Sequence, residues 1–320
     1  MNRIMVSINC ITYNHEKYIA DALESFIMQK VDFDYEILVH DDASTDKTAD
    51  IVRMYEAKYP NLINAIYQSE NIHSKGLRSC VYNQRRASGK YIAICEGDDY
   101  WTDPYKLQKQ VDYMEAHPNC TLCVHAGYMV NENKELQKKH VRPNVGDKDF
   151  TVQEIILGGG GLFVTNAMLY VRELGINRPK FYEVSPVCDY PLMVFFALQG
   201  SVHYIDEFMS AYRVGLAGSW SNQTFSDTEK TIKHFNGTLA MLDELNKYTN
   251  NEYSDSIDIR RNQIQFKLNL IQGNFDVLKS NQFNKYYTKL HVAEKFSISM
   301  RQYFPGIYKR LRKLKEKWVI

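Results

Sequence analysis

The chain has 320 residues, 44% of them hydrophobic and 24% charged. That is the composition of a folded globular protein with room for a sizeable core. Its 39 basic and 38 acidic residues leave a net charge of +1, so the chain as a whole carries no nucleic-acid signature. It also contains no apolar run long enough for a membrane-spanning helix.

The predicted elements begin with a nearly continuous apolar strand over 3–11. A helix follows over 15–29, with Ile19, Leu23, Phe26 and Ile27 at helical spacing. A second strand covers Tyr35–His40, and a second helix Asp46–Lys58. Leu62–Gln68 reads as a third strand and Tyr91–Cys95 as a fourth. This alternation predicts a parallel sheet, in which ligands bind beyond the carboxyl ends of the strands. Polar residues stand at those ends: Thr12-Tyr13-Asn14, Asp41-Asp42-Ala43-Ser44, and Glu96-Gly97-Asp98-Asp99.

Further along, a helix runs from near Pro104 to His117, and Asn119–Val130 reads as a strand. Gly158–Gly161 reads as a flexible loop leading into a strand over Leu162–Val171. Tyr190–Leu198 is helical, and Val202–Asp206 and Met209–Val214 read as two short strands. From about 225 the pattern is helical through 288, and again over Lys289–Trp318. Residues 1–222 are therefore expected to form the main domain, with a first half to 117 and a second from 118. Residues 223–320 are expected to be a helical extension with a basic tail.

Six cysteines are present: Cys10, Cys80, Cys95, Cys120, Cys123 and Cys188. With no signal-peptide pattern ahead of them, they are expected to be reduced thiols in the cytoplasm. Cys120 and Cys123 have the spacing of half a zinc site, but the second pair is missing. They are expected to be core residues of a strand.

The acidic stretch Glu96–Asp99 carries the clearest chemistry. Packed carboxylates repel one another unless a cation lies between them. Their oxygens suit Mg²⁺ or Mn²⁺, which bind through one or two carboxylates together with substrate phosphates. Taken alone, the stretch is equally a solvated acidic turn. Asp42 stands where a nucleobase could lie, and its carboxylate can accept from a uracil or thymine N–H.

Taken together, Val6-Ser7-Ile8 and Thr12–Glu16, then Glu36–Asp46, then Ala87–Ile92 and Glu96–Asp99, resemble the family-2 glycosyltransferases of the GT-A fold. The resemblance covers about the first 115 residues in order and spacing, and continues more weakly to about 220. It implies a Rossmann-like α/β mixed sheet flanked by helices. It also implies a nucleotide-sugar donor, a divalent metal (Mn²⁺ or Mg²⁺), and sugar transfer with inversion to a glycan or lipid-linked glycan acceptor. Thr12, Tyr13 and Asn14 would line the nucleotide pocket, and Asp42 would bind the base. Asp98 and Asp99 would contact ribose and metal, with Asp99 favoured as the direct ligand. Glu96 stands where the family usually has Asp. In the loop after the third strand, Lys75 or Arg78 would meet phosphate. Asp189, opening a helix, would be the catalytic base, although Cys188 precedes it where Glu is common. Arg213 of the pair Tyr212-Arg213 would brace the active-site loop or the diphosphate.

Trp101 and Asp103 are expected to face the donor sugar or the acceptor. Gly158–Asn166 and Trp220 are expected to shape the acceptor side. Residues 306–320 carry six basic side chains against Glu316, and Leu311, Leu314 and Trp318 fall on one helical face. That suits peripheral contact with an anionic membrane; a solvated helix end is the alternative. The sequence fixes no oligomeric state. Competing readings are weaker. A nucleotide-sugar pyrophosphorylase needs a Gly-rich basic loop after the first strand, and a dehydrogenase needs G-x-G-x-x-G there; Thr-Tyr-Asn is neither. A non-catalytic nucleotide-sugar or glycan-binding protein would lack carboxylates that are present here.

Overall fold

The computed structural model describes residues 4–76, 80–216 and 218–308. The chain divides into two compact units, Met1–Glu183 with Val187–Gln223, and Val184–Pro186 with Thr224–Ile320.

Nine strands of the first unit form one mixed sheet among the described residues. In chain order they are β1 (Val6–Thr12), β2 (Tyr35–Asp41), β3 (Ile63–Tyr67), β4 (Tyr91–Ile94), β5 (Tyr100–Trp101), β6 (Cys120–Val130), β7 (Lys148–Phe150), β8 (Leu169–Val171) and β9 (Ser201–Arg213). Their spatial order is β3-β2-β1-β4-β8-β6-β9-β5, with β7 also on β9. The first four strands are parallel. β8 runs antiparallel between β4 and β6.

The helices of this unit are α1 (Ile19–Ile27), α2 (Thr48–Lys58), α3 (Cys80–Arg86), α4 (Lys106–Ala116), α5 (Val152–Gly158), α6 (Lys180–Val184), α7 (Asp189–Ala197) and α8 (Trp220–Phe225). Strands β1 and β2 read as apolar runs because both faces of a parallel sheet are covered. Accordingly Val6, Ile8, Cys10, Ile37 and Val39 are all fully buried with Ile19, Leu23 and Phe26 of α1.

Several sequence expectations are corrected. The strand expected over Leu162–Val171 is only β8. Residues Thr165–Ala167 make a 3₁₀ turn instead, because the buried Asn166 is bonded there through both its amide and its carbonyl. The two strands expected over 202–214 are one, β9, whose pairing with β6 slips near His125–Gly127. That irregularity absorbs the polar Asp206-Glu207 pair. Helix α3 was not foreseen: only seven residues long, it shows no full amphipathic repeat.

The second unit contains α9 (Thr228–Tyr248), α10 (Ser254–Gln272), α11 (Asn284–Lys289) and α12 (Val292–Tyr303). The helix expected over Lys289–Trp318 is thus interrupted. It starts at a capping box made by His291 and Glu294 and ends at Phe304, ahead of Pro305, which disfavours helical backbone before it. Residues 309–320, with Leu311, Leu314 and Trp318, lie outside the described residues. No described helix is long and apolar enough to cross a membrane.

Among the described residues Cys10, Cys95, Cys120 and Cys123 are free, buried thiols. Cys120 and Cys123 are buried in β6, as core residues. Burial pushes the Cys10 and Cys95 thiols well above the usual range.

The turn after β4 is brought against β1 by Gly97, whose N–H donates to the Ile11 carbonyl at 2.9 Å. A Cβ on Gly97 would sit 2.7 Å from Thr12 Oγ1 and 2.9 Å from Ile19 Cδ1. Replacing Gly97 by Ala should therefore displace the turn and cost about 1–3 kcal/mol, read as a lower urea midpoint at unchanged slope.

Candidate active site

The carboxyl ends of β1, β2 and β4 meet at one edge of the sheet. Thr12 is buried, and its Oγ1 has no hydrogen-bond partner. Tyr13 beside it is 42% exposed. Asn14 has a left-handed backbone, φ 56°, which Asn tolerates better than most residues. Its amide oxygen accepts the Thr45 N–H at 2.8 Å, and its own N–H donates to Ser44 Oγ at 2.9 Å. Asn14 thus straps the β1 and β2 turns together.

Asp42 is buried, and its carboxylate accepts the N–H of Ile72 at 2.8 Å and of His73 at 3.1 Å. In this structure it orders the turn after β3. Lys75 in that turn is paired with Glu70. Arg78 lies outside the described residues.

The acidic stretch splits into two roles. Asp99 is 1% exposed. Its Oδ1 accepts the Arg213 backbone N–H at 2.8 Å and its Oδ2 accepts the Asn166 amide at 3.0 Å. Burial, then the charges of Asp98 and Glu96, push its carboxyl well above the usual range. Asp98 instead is 17% exposed, with Oδ2 3.8 Å from His15 Nε2. Glu96 has a buried Oε2 without a partner, and burial plus the charge of Asp98 push it up to about 8.

Asp98 is therefore the partly exposed carboxylate of the stretch, while Asp99 is engaged inside and Glu96 Oε2 is buried. Asp99, the residue favoured on the sequence as the direct metal ligand, has each oxygen hydrogen-bonded within the fold. Among the described residues no three His, Cys, Asp or Glu side chains form a self-sufficient metal cage. Two adjacent carboxylates, one with an orphaned oxygen, do fit a hard cation that completes its shell with water and phosphate oxygens.

Asp189 is the first residue of α7, and its Oδ1 accepts the Tyr190 N–H at 2.7 Å. Cys188, not Asp189, occupies the cap position of that helix. Burial pushes the Asp189 carboxyl up to about 6. Its charge is near enough to Glu96 to help raise that group. The glycine run lies alongside, since a Cβ on Gly160 would stand 3.7 Å from Asp189 Oδ2. Trp220 is exposed in α8.

Arg213 is fully buried. Its guanidinium donates to the Asp98 carbonyl and to Asp21, and lies 4.9 Å from the ring centroids of both Tyr18 and Tyr100. It braces the acidic turn from below. A buried guanidinium deprived of its partner is costly, which gives Asp21 of α1 a role the sequence did not reveal. His15 and Asn166 were likewise missed as contacts of the acidic stretch.

Trp101 corrects another expectation. It is 1% exposed, packed on Phe26 at 4.8 Å, with Lys106 Nζ 4.1 Å over its ring and its Nε1 donating to the Asn166 carbonyl. It supports Asn166 from the core and presents no face to a sugar. Asp103 accepts the Tyr105 N–H at 2.8 Å and pairs with Lys109 at 2.7 Å, so its carboxylate is engaged at the start of α4.

The fold and this strand-end site define a class, and comparison with known proteins agrees with it. The sequence profile of Glycosyl transferase family 2 matches residues 7–173, and the chain belongs to that family. An uncharacterized protein of Mycobacterium tuberculosis is 35% identical over 225 residues, 70% of this chain and 63% of that protein. The chain therefore spans less than two thirds of that relative. A putative teichuronic acid biosynthesis glycosyltransferase of Bacillus subtilis, TuaG, is 36% identical over 110 residues, 34% of this chain and 42% of that one. Among solved structures, S. aureus TarS 1-349 in complex with UDP-GlcNAc aligns with a TM-score of 0.59 at 19% identity, covering 93% of this chain and 79% of that one. That likeness supports the GT-A fold.

The division of labour in the acidic stretch has a direct test. Asn166→Ala leaves Asp99 Oδ2 buried and unpaired, and should lower stability by about 1–3 kcal/mol. Asp98→Asn should not lower the melting temperature, because it removes a charge that repels Glu96 and Asp99.

Proposed function

We propose that the protein is an inverting glycosyltransferase that moves a hexosyl group from a nucleoside-diphosphate sugar, a UDP-sugar first, to a hydroxyl of a glycan or lipid-linked glycan in surface polysaccharide synthesis. The observation that carries the reading is the match of residues 7–173 to Glycosyl transferase family 2. It is supported by Asp189 lying close enough to Glu96 for its charge to raise that group. Thr12 and Tyr13 line the nucleotide side, with Asp42 behind them. The reduced thiols fit a cytoplasmic protein, and 306–320 would hold it at the inner membrane face.

In the proposed step, the Asp189 carboxylate takes the proton of the acceptor hydroxyl as that oxygen attacks the anomeric carbon. The new C–O bond forms on the face opposite the departing diphosphate, whose C–O bond breaks with its electron pair, and the centre inverts. A divalent cation held by Asp98 and Glu96 would offset the charge growing on the leaving diphosphate. Arg213 and Asn166 act through Asp98 and Asp99 by holding the turn that presents them.

Screening UDP-sugars with Mn²⁺ by thermal shift, then assaying transfer, tests the donor class; no shift with any nucleotide sugar contradicts it. Asp189→Asn should abolish transfer at unchanged donor affinity.

The pH dependence has a defined sign. The folded-state pKa of Asp189 lies above its unfolded value. Activity from its ionised form should therefore rise through about pH 6, and ionisation in the folded state opposes folding above that pH. Without metal or donor, Asp189→Asn should accordingly melt a few degrees higher than wild type at pH 7.5, and no higher at pH 4.

A further inference from the structure

One buried side chain beside the strand-end site is left without a partner. His40 stands one residue before the end of β2, paired through its backbone with Ile11 of β1 and Ile66 of β3. It is 0% exposed, and among the described residues neither of its ring nitrogens has a hydrogen-bond partner. A neutral imidazole carries one N–H donor and one acceptor nitrogen, and burying such groups unmade destabilises a fold. Leu38, two residues back on the same face of the strand, is buried without that cost. Packing alone therefore gives no reason for a histidine at position 40.

What the ring faces is Asp42. His40 Nε2 lies 3.9 Å from Asp42 Oδ1, about 0.9 Å beyond an ordinary N–H···O bond. The ring meets that of Tyr82 in α3 at 78°, with centroids 5.3 Å apart, so it is packed from the helix side. Asp42 is gripped by the turn after β3, through the N–H groups of Ile72 and His73. A carboxylate oxygen accepts up to two hydrogen bonds, and an imidazole N–H closing on Oδ1 would join the one from Ile72. Burial lowers the pKa of His40; Arg86 adds to that effect, while Asp42 and Asp41 oppose it. The ring is thus a neutral donor at pH 7.

We infer that His40 is a positioning residue for Asp42: when a nucleotide enters, its Nε2–H closes on Asp42 Oδ1 and aims the carboxylate at the N3–H of a uracil or thymine base. Cytosine, whose N3 carries no hydrogen, offers no matching donor there. The inference rests on the reading that Asp42 receives the base, and the test separates the two.

UDP and CDP are titrated with Mn²⁺ by calorimetry into wild type, His40→Leu, His40→Gln, Asp42→Asn and the double variant His40→Leu/Asp42→Asn. The melting temperature of each is read without nucleotide. His40→Leu should weaken UDP about tenfold, the scale of one lost hydrogen bond to a charged group, and CDP by less than about twofold. Its melting temperature should not fall, because an unmade polar group is replaced by an apolar one. His40→Gln, whose amide returns an N–H near the place of Nε2, should recover most of the affinity. On the Asp42→Asn background, His40→Leu should weaken UDP no further. If Asp42→Asn binds UDP as tightly as wild type, or wild type binds none, the base reading fails and the inference with it. If Asp42→Asn weakens UDP and His40→Leu does not, the base reading stands and the inference is overturned. Equal losses of UDP and CDP in His40→Leu with a lowered melting temperature also overturn it, since His40 is then a structural residue.

Discussion

The candidate site depends on how one buried carboxylate is held. Asp99 lies inside the sheet edge, bonded by the Arg213 N–H on one oxygen and by the Asn166 amide on the other. A buried carboxylate is tolerable only with such partners, and meeting that requirement fixes the backbone of the turn. With Asp99 pinned inward, Asp98 is the partly exposed carboxylate of the turn. Gly97 between them allows the turn to lie directly on Thr12.

The support for this arrangement is drawn from distant parts of the chain. Asn166 is itself saturated: Ser210 Oγ donates to its Oδ1 at 2.7 Å, its amide also donates to the Ala211 carbonyl at 3.0 Å, and its own carbonyl accepts Trp101 Nε1. Arg213 adds a second brace, joining the Asp98 carbonyl to Asp21 of α1 between two tyrosine rings. Strand β9, the turn holding Asn166 and helix α1 thus converge on the Asp98-Asp99 turn. A saturated network of this kind orders the turn through the protein's own groups.

Much of this was legible in the sequence. The strand–helix alternation gave the parallel half of the sheet nearly to the residue, because strands buried on both faces are apolar runs with polar ends. The acidic stretch and the polar ends of β1 and β2 stood out for the same reason. What the sequence could not convey was direction. Asp98 and Asp99 are neighbours of identical type, and only the partners across the sheet, Asn166 and Arg213, separate inward from outward. Trp101 misled for a related reason, since an aromatic beside a strand end suits a sugar or a core equally well. Asn166 was hidden inside an apolar run that resembled a strand, and Asp21 inside a helix whose pattern explained it as surface.

The central proposal is that Asp98, with Glu96, would hold the cation and diphosphate while Asp99 serves the scaffold. The most direct measurement is the anomalous scattering of Mn²⁺ in crystals of the protein grown with UDP. The expected result is one Mn²⁺ peak at ligating distance from the Asp98 carboxylate and the diphosphate oxygens, with the Asn166–Asp99 hydrogen bond intact. A Mn²⁺ ion ligated by Asp99, with Asn166 displaced from it, would contradict the claim.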